Sequence, residues 1–357
     1  MRVVFDVLGS TEHSGGMRLH ATELIKSWLE NWPHDSVTVI GPEWARKEFS
    51  TQANLVNWRN ESVLHRSFGQ LFFSAKVARL QRANVLVSLS PIVSPLSGRL
   101  TVCFQHDWRH KLNPGEFPSH QRLYRKLWEV SAKRANFNAC ISKKAIQETE
   151  RYARGARTEE VANGRDHARR WAQFPRDPES CTLVTFGHHN NKRPELVISA
   201  LAKMNLERLQ NVRLVVLGAR GEYRESLVDL AAEEGVTAQV EFPGFVEDAE
   251  YQRIVSTASA IIMPSSDEGF GLPVAEGLYF DIPVVVTSDS GMPEIFGSDV
   301  FVSSPDPESL GSAIEMVLGA RTVGQVQPIK QTWGQAARDL REAIERQLVA
   351  DGNPVHR

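Results

Sequence analysis

The stretch AIIMPSSDEGFGLPVAEG, residues 260–277, decides how the chain folds and where its chemistry lies. An apolar, strand-like run is followed by a loop with two glycines and then by residues of helical period. In such a turn, backbone amides and the positive end of a helix dipole converge on one point, which favours an anion. Glu268 and Glu276 bracket the loop and could bind hydroxyl groups on either side of a bound diphosphate. Helix capping and a solvated face are the alternative interpretation of these two glutamates.

Short apolar runs alternate with longer stretches of helical period on both sides of this segment. That alternation is typical of βαβ units and parallel sheets. Residues 163–180 interrupt it with Asn-Gly, prolines and mixed charges, which predicts a domain boundary. The expected fold class is therefore α/β, with two Rossmann-like domains and a terminal helix at 333–349. The predicted strands are 3–7, 37–40, 84–89, 100–105, 137–141, 182–186, 212–217, 239–242, 260–263, 282–286 and 300–302.

Length and composition restrict the class of protein. With 357 residues, 41% hydrophobic and 24% charged, the chain is long enough for two globular domains and is neither disordered nor fibrous. It contains no apolar run as long as a membrane span and no recognisable signal peptide. Its three separated cysteines favour neither disulfides nor a zinc site. These observations predict a cytoplasmic protein.

The net charge of −2 conceals an asymmetry between the two halves. Residues 1–170 contain 26 basic and 16 acidic side chains, whereas the remainder contains 15 and 27. This surplus favours an anionic partner for the first half. One hypothesis is that the first half contacts the inner face of an anionic membrane peripherally, or binds a lipid diphosphate acceptor. The alternative is a basic face that is simply solvated. The basic residues that crowd one region are Arg122, Arg125, Lys126, Lys133, Arg134, Lys143, Lys144, Arg151, Arg154 and Arg157.

Weaker candidate residues follow other predicted strands, where parallel sheets bind ligands. Gly15 and Gly16 place a flexible backbone at the start of a helical run, although a simple turn is the commoner reason for such glycines. His106 ends a strand, and a hydrogen-bonded structural histidine is the commoner interpretation. Lys192 precedes a predicted helix and can neutralise a diphosphate as a point charge.

The sequence as a whole resembles the retaining glycosyltransferases of family 4, which have the GT-B fold. Segment 268–276 resembles the family's motif of two glutamates separated by seven residues, and the landmarks at 217–218, 242–246 and 291–294 occur in the family's order. The resemblance covers most of the chain. It implies two facing Rossmann-like domains, an acceptor-binding one at 1–165 and a donor-binding one at 170–332. The helix from residue 333 is expected to return to the first domain.

The resemblance also implies roles for individual residues. Among the expected catalytic residues, His106 lies beside the transferring sugar, Lys192 holds the departing diphosphate and Glu268 binds the sugar. Glu276 is expected to bind the ribose hydroxyls of the donor, and Phe245 with Val246 to lie against its base. The expected donor-binding residues are Gly15, Gly16, Gly187, Gly218, Phe245, Val246, Gly269, Phe270, Gly271, Leu272 and Glu276.

One position departs from the family pattern. Many members carry an arginine directly after the glycine that ends the first strand of the second domain, and this sequence has His188, so the diphosphate is expected to rest on Lys192 alone. The paired His188 and His189 have no third ligand at a suitable spacing, and no Asp-x-Asp occurs. No metal site and no cofactor are therefore expected beyond the nucleotide-sugar co-substrate.

The sequence thus predicts a retaining glycosyltransferase that moves a hexosyl unit from a nucleotide-diphosphate sugar to an acceptor hydroxyl. GDP-mannose, UDP-glucose and UDP-N-acetylglucosamine are candidate donors, and a saccharide or lipid-linked acceptor in cell-envelope glycan or glycolipid synthesis is expected. No nucleic-acid partner is expected. A nucleotide-sugar epimerase of the same architecture and a non-catalytic sugar-nucleotide-binding protein are the alternatives. A nucleotide-dependent dehydrogenase is excluded because no Gly-x-Gly-x-x-Gly follows a first strand.

Overall fold

The computed structural model describes residues 1–12, 15–177, 179–205, 211–319, 331–350 and 352. Contacts divide the chain into two compact units. Unit 1 comprises Met1–Gly164 together with the residues from Gln331 onward, and unit 2 comprises Arg165–Lys330. Each unit consists of one parallel sheet and the helices that cover it.

Unit 1 contains a sheet with the strand order β3-β2-β1-β4-β5-β6-β7, and every neighbouring pair is parallel. Successive strands are added on one side of β1 as far as β3 and on its other side from β4 onward, so the direction in which strands are added changes between β1 and β4. This change opens a crevice at the carboxyl ends of these two strands. The strands are β1 Arg2–Asp6, β2 Ser36–Gly41, β3 Asn54–Asn57, β4 Val85–Ser88, β5 Leu100–Gln105, β6 Phe137–Cys140 and β7 Thr158–Glu160.

Unit 2 contains a second parallel sheet, with the order β10-β9-β8-β11-β12-β13. Its change of direction lies between β8 and β11. The central strands β11 and β12 are fully buried, and β8 is buried from Leu183 onward, as expected for a sheet covered on both faces. The strands are β8 Cys181–Phe186, β9 Val212–Leu217, β10 Val240–Gly244, β11 Ala260–Met263, β12 Val284–Thr287 and β13 Phe301–Ser303.

Helices connect the strands in both units. A π-helical turn, Gly69–Phe73, joins α3 to α4 without a break. In chain order the α-helices are α1 Gly15–Asn31, α2 Glu43–Phe49, α3 Val63–Phe68, α4 Ser74–Leu80, α5 Arg109–Leu112, α6 Ser119–Arg134, α7 Lys143–Tyr152, α8 Pro194–Leu201, α9 Gly221–Glu233, α10 Asp248–Ser256, α11 Leu272–Tyr279, α12 Met292–Phe296, α13 Pro307–Gly319 and α14 Trp333–Ala350.

Helix α14 belongs to unit 1, as predicted for the terminal helix. Trp333 at its start is fully buried, and Gly164 approaches it so closely that a Cβ at Gly164 would lie 2.2 Å from the Trp333 amide nitrogen. Further along, Arg341 Nη1 donates to Asp35 Oδ2 over 2.6 Å, and its guanidinium lies over the ring of Trp32. The helix is therefore packed along α1.

Every strand predicted from the sequence is present, with ends that differ from the prediction by at most two residues. Two strands were missed, and both lie at the edges of the unit 1 sheet. β3 has asparagine at each end, and β7 consists of the three polar residues Thr158–Glu160. Edge strands of this kind bury little and lack the apolar run on which strand prediction depends.

Candidate functional site

The crevice of unit 2 holds an ion pair between Lys192 and Glu268. Lys192 lies in the loop after β8 and Glu268 in the loop after β11, the two strands that flank the change of direction. The Lys192 ammonium contacts Glu268 Oε1, and the two side chains are only 9% and 12% exposed. Parallel α/β sheets bind ligands at this position. Two residues that the sequence assigns to one site thus lie together there.

Asn191 fixes the two loops to each other. The Ser266 amide donates to the carbonyl oxygen of Asn191 over 2.8 Å, and Asn191 Nδ2 donates to the carbonyl oxygen of Asp267 over 2.8 Å. Because Lys192 follows Asn191 and Glu268 follows Asp267, these bonds set the register in which the ion pair forms.

Arg193 joins the same loops to β12. Its guanidinium donates to the Pro264 carbonyl oxygen over 2.6 Å and to Thr287 Oγ1 over 3.0 Å, and it also forms a two-point ion pair with Asp289. The backbone of Arg193 is left-handed, with φ of 49°. That conformation is unfavourable for a residue with a Cβ, so several contacts hold it in place. Sequence reasoning missed Arg193, because no local pattern marks such a conformation.

Glu276 is buried and already has two partners. Its Oε1 lies 2.9 Å from His167 Nε2, and Tyr251 donates its hydroxyl to Oε2 over 2.6 Å. Burial, together with the charge and hydrogen bond of Glu276, raises the pKa of Tyr251 well above its usual value. A ligand hydroxyl that donates to Glu276 would therefore share the carboxylate with His167 and Tyr251. Sequence reasoning missed His167 and Tyr251, which lie 109 and 25 residues from Glu276.

Two expected donor-binding glycines, Gly187 and Gly218, allow the carboxyl ends of β8 and β9 to approach closely. A Cβ at Gly187 would lie 2.9 Å from Ala219 Cβ, and one at Gly218 would lie 2.9 Å from His188 Cβ. Gly218 also has a positive φ of 84°, which glycine adopts readily. The two glycines therefore shape the floor of the crevice.

The expected amide cradle, from Gly269 to Leu272, leads into α11. Gly271 has φ of 88°, and a Cβ there would lie 2.9 Å from Met292 Sδ, so glycine fits this turn best. Phe270 is buried and packs on Phe296, with 5.6 Å between ring centroids. The side chain of Phe270 thus anchors the loop, and only its backbone is suited to contact a ligand.

The residues expected against the donor base follow β10. Phe245 is exposed, and Val246 beside it is half-buried. The Arg220 guanidinium lies 3.6 Å from the centroid of the Phe245 ring. An arginine stacked on an aromatic ring presents a flat cationic surface, which suits a nucleobase. Arg220 was not among the residues predicted from the sequence.

In unit 1, the expected site residue His106 follows β5. His106 Nε2 lies 3.3 Å from the Leu89 carbonyl oxygen, and its ring meets that of His20 edge-on at 4.7 Å between centroids. Burial lowers the pKa of both histidines, so both imidazoles are neutral at neutral pH. His20 Nδ1 lies 2.9 Å from Asn163 Oδ1.

Gly15 and Gly16 begin α1, as expected from the sequence. A Cβ added to Gly15 would meet no atom of the described residues within 4 Å, apart from its chain neighbours and its own helix, so their packing does not explain that glycine. Gly15 thus lies at the N-terminus of a 17-residue helix, where a ligand's negative charge is favoured.

Comparison with known proteins relates the second half of the chain to one family. Residues 172–339 match the family model described as Glycosyl transferases group 1. An uncharacterized glycosyltransferase of Methanocaldococcus jannaschii is 35% identical over 145 residues, 40% of this chain and 36% of that protein. O-antigen chain mannosyltransferase B of Escherichia coli is 26% identical over 110 residues, 31% of this chain and 29% of that protein. The aligned part spans about a third of these curated relatives.

Solved structures match over a greater length. HepE of Anabaena, in complex with UDP and glucose, superposes with a TM-score of 0.67 over 99% of this chain and 100% of its own, at 17% identity. The architecture is the GT-B fold. The predicted fold class, including the terminal helix that returns to unit 1, is confirmed. No helix among the described residues has the length and apolar character needed to cross a membrane.

Proposed function

We propose that the protein is a retaining glycosyltransferase that transfers a hexosyl unit from a nucleotide-diphosphate sugar to an acceptor hydroxyl. The observation that carries this proposal is the Lys192–Glu268 pair in the crevice of unit 2. A buried ammonium beside a carboxylate offers a cation for a diphosphate and an acceptor for sugar hydroxyls within one contact distance. The match of residues 172–339 to the group 1 model supports the same activity.

The proposed reaction proceeds on one face of the sugar. The bond between the anomeric carbon and the diphosphate oxygen breaks, and the acceptor oxygen forms its bond on the same face. The acceptor's proton passes to the departing diphosphate. Lys192 stabilises the charge that grows on the diphosphate, and this stabilisation exceeds what it gives to the intact donor. Neutral His106 is proposed to lie by the sugar, where it can hydrogen-bond without adding charge.

The nucleoside is proposed to lie between Glu276 and the Phe245 region. Glu276, oriented by His167 and Tyr251, accepts hydrogen bonds from the ribose hydroxyls. The Arg220–Phe245 stack lies against the base. The UDP complex of HepE and the mannosyltransferase name of the Escherichia coli relative favour a hexose donor and a cell-envelope glycan or glycolipid product.

A panel of nucleotide sugars tests the proposal. A donor present at 100 times its dissociation constant should stabilise the protein by about 2.7 kcal/mol, which raises the melting temperature. The stabilising donor is then incubated with and without candidate acceptors. Transfer that requires an acceptor supports the proposal, whereas conversion of the donor sugar without any acceptor indicates the epimerase alternative. Binding without turnover under either condition indicates a non-catalytic protein.

A further inference from the structure

Part of the surface of unit 1 is apolar and exposed. Helix α3 and the π-helical turn present Leu64, Phe68 and Phe72 to solvent, with 81%, 55% and 48% of their areas exposed. The three residues are spaced four apart, so they form one row along the helix. We call Leu64, Phe68 and Phe72 the apolar row. Contiguous exposed apolar surface of this kind marks a site of interaction.

The apolar row rests on a fixed base. A Cβ at Gly69 would lie 2.6 Å from Trp58 Nε1, so the helix can pack this closely only with glycine there. The Trp58 ring stacks on Phe68 and on Phe73, with centroids 6.0 and 4.2 Å apart, and Trp58 Nε1 donates to the His65 carbonyl oxygen over 3.0 Å. This packing directs the apolar row outward.

Neighbouring segments extend the exposed apolar surface. Ser94 Oγ donates to the Leu71 carbonyl oxygen over 2.5 Å, which holds the loop bearing exposed Leu96 against the π-helical turn. On the adjoining helix α6, Tyr124 donates its hydroxyl to Gln70 over 3.3 Å. Leu123, the residue before Tyr124, is also exposed. The apolar surface thus spans three segments of the fold.

The segments that form this surface are rich in basic residues. Segments 59–80 and 119–134 contain nine basic side chains and two acidic ones. Of the two acidic residues, Glu129 is engaged by Lys111 and Lys133. Arg66 lies over the Tyr124 ring at 5.2 Å, and Arg125 lies over Trp128 at 4.5 Å. The basic residues are Arg59, Arg66, Lys76, Arg79, Arg122, Arg125, Lys126, Lys133 and Arg134.

We propose that this face of unit 1 docks on an anionic lipid surface. The apolar row enters the boundary between headgroups and acyl chains, and the basic residues of α3, α4 and α6 lie at the level of the anionic headgroups. A second copy of this chain would bring like charges together, which disfavours self-association. A nucleic acid would leave the aliphatic part of the surface uncovered. The proposal does not rest on the glycosyltransferase function.

Co-sedimentation of the full chain with vesicles tests this docking. One set of vesicles is phosphatidylcholine alone, and the other contains about one third phosphatidylglycerol. The test variants are Leu64→Ser and Phe72→Ser, which alter exposed side chains. Met316→Ser is the matched control, since Met316 is 61% exposed on α13 of unit 2. Lys126→Gln removes one exposed positive charge from α6.

The expected result is binding to the anionic vesicles that weakens as salt rises, with little binding to phosphatidylcholine alone. Each apolar variant should lose about tenfold in partitioning, and Lys126→Gln about fivefold, while Met316→Ser binds as the parent does. Equal binding of parent and apolar variants overturns the proposal, as does the absence of binding to either vesicle. Concentration-dependent dimers that Leu64→Ser abolishes would assign the face to a second copy instead. Thermal unfolding of each variant establishes that it is folded.

Discussion

Arg193 and Asp289 are 96 residues apart in the sequence and form a two-point ion pair, with Nη1–Oδ2 at 2.9 Å and Nη2–Oδ1 at 2.7 Å. The pair ties the loop after β8 to the loop after β12, and the same guanidinium holds the end of β11 through Pro264. Three strand ends are thus joined around Lys192 and Glu268. Arg193 therefore acts as a positioning residue for that pair.

Arg193→Gly separates positioning from stability. Glycine relieves the left-handed backbone, which costs roughly 1–2 kcal/mol for other residues, and this gain offsets part of the lost ion pair. We expect a folded protein with a melting temperature close to that of the parent and with kcat reduced about tenfold or more, since small misplacements of reacting groups are costly. Arg193→Lys keeps the charge and the unfavourable backbone but loses the two-point ion pair, so it should be less stable than Arg193→Gly. Full kcat in Arg193→Gly would show that the loops hold their register without the clamp.

Lys192→Ala should act mainly on the chemical step. Charge on the diphosphate grows as the glycosidic bond breaks, so loss of a fixed cation should lower kcat by about 10²- to 10³-fold, or 2.7–4 kcal/mol. Lys203→Ala, which alters an exposed lysine of the same unit, is the control. Steady-state kinetics with circular dichroism decides the result. An unchanged kcat in Lys192→Ala would remove the diphosphate role.

Glu276 and Glu268 should differ in their kinetic effects. Glu276→Ala should chiefly raise KM for the donor, with a smaller change in kcat, because the ribose is remote from the reacting carbon. It also leaves His167 and Tyr251 without their carboxylate, so Glu276→Gln is the better-folded comparison. Glu268→Ala, beside the transferring sugar, should change both constants. A purely kcat effect at Glu276 would contradict the ribose assignment.

Activity should survive chelation of divalent cations. The proposal assigns to Lys192 and the backbone amides the charge neutralisation that a metal ion performs in other enzymes. Transfer rates are measured in EDTA and after addition of magnesium or manganese. Complete loss in EDTA, with recovery on addition of either ion, would contradict the expectation.

The apolar strands were predictable because burial on both faces leaves runs of Val, Ile and Leu. The terminal helix was predictable from the helical period of its apolar residues. The glutamates and lysine of unit 2 could be placed in one site because their motifs resemble those of the family. The groups that orient them could not be predicted. His167 contacts Glu276 across 109 residues of sequence. No pattern in the residues around Arg193 indicates its left-handed backbone. Such contacts depend on tertiary proximity, which periodicity does not encode.

Asp6 should make unit 1 sensitive to pH. Burial raises its pKa from 3.8 to about 6, against hydrogen bonds from Ser74 and the Leu8 amide. Between pH 3.8 and about 6, Asp6 is therefore protonated in the folded protein and ionised in the unfolded chain. Its contribution to stability is full below about pH 4 and is lost as pH rises through 6, a change of about 3 kcal/mol. Asp6→Asn should lack this dependence, and the difference between variant and parent in urea unfolding across this window measures it. A constant difference would contradict the prediction.

The return of α14 to unit 1 also constrains the order in which the chain can fold. Residues 165–330 form a contiguous unit, so all their partners have been synthesised once that stretch leaves the ribosome. Unit 1 cannot complete its fold until α14 has been synthesised. Trp333 fills its core beside Gly164, and Arg341 pairs with Asp35 across 306 residues. Closing so long a loop is slow and is achieved late. During synthesis, unit 1 therefore lacks α14, and the side of α1 that packs on this helix stays uncovered after unit 2 has become able to fold.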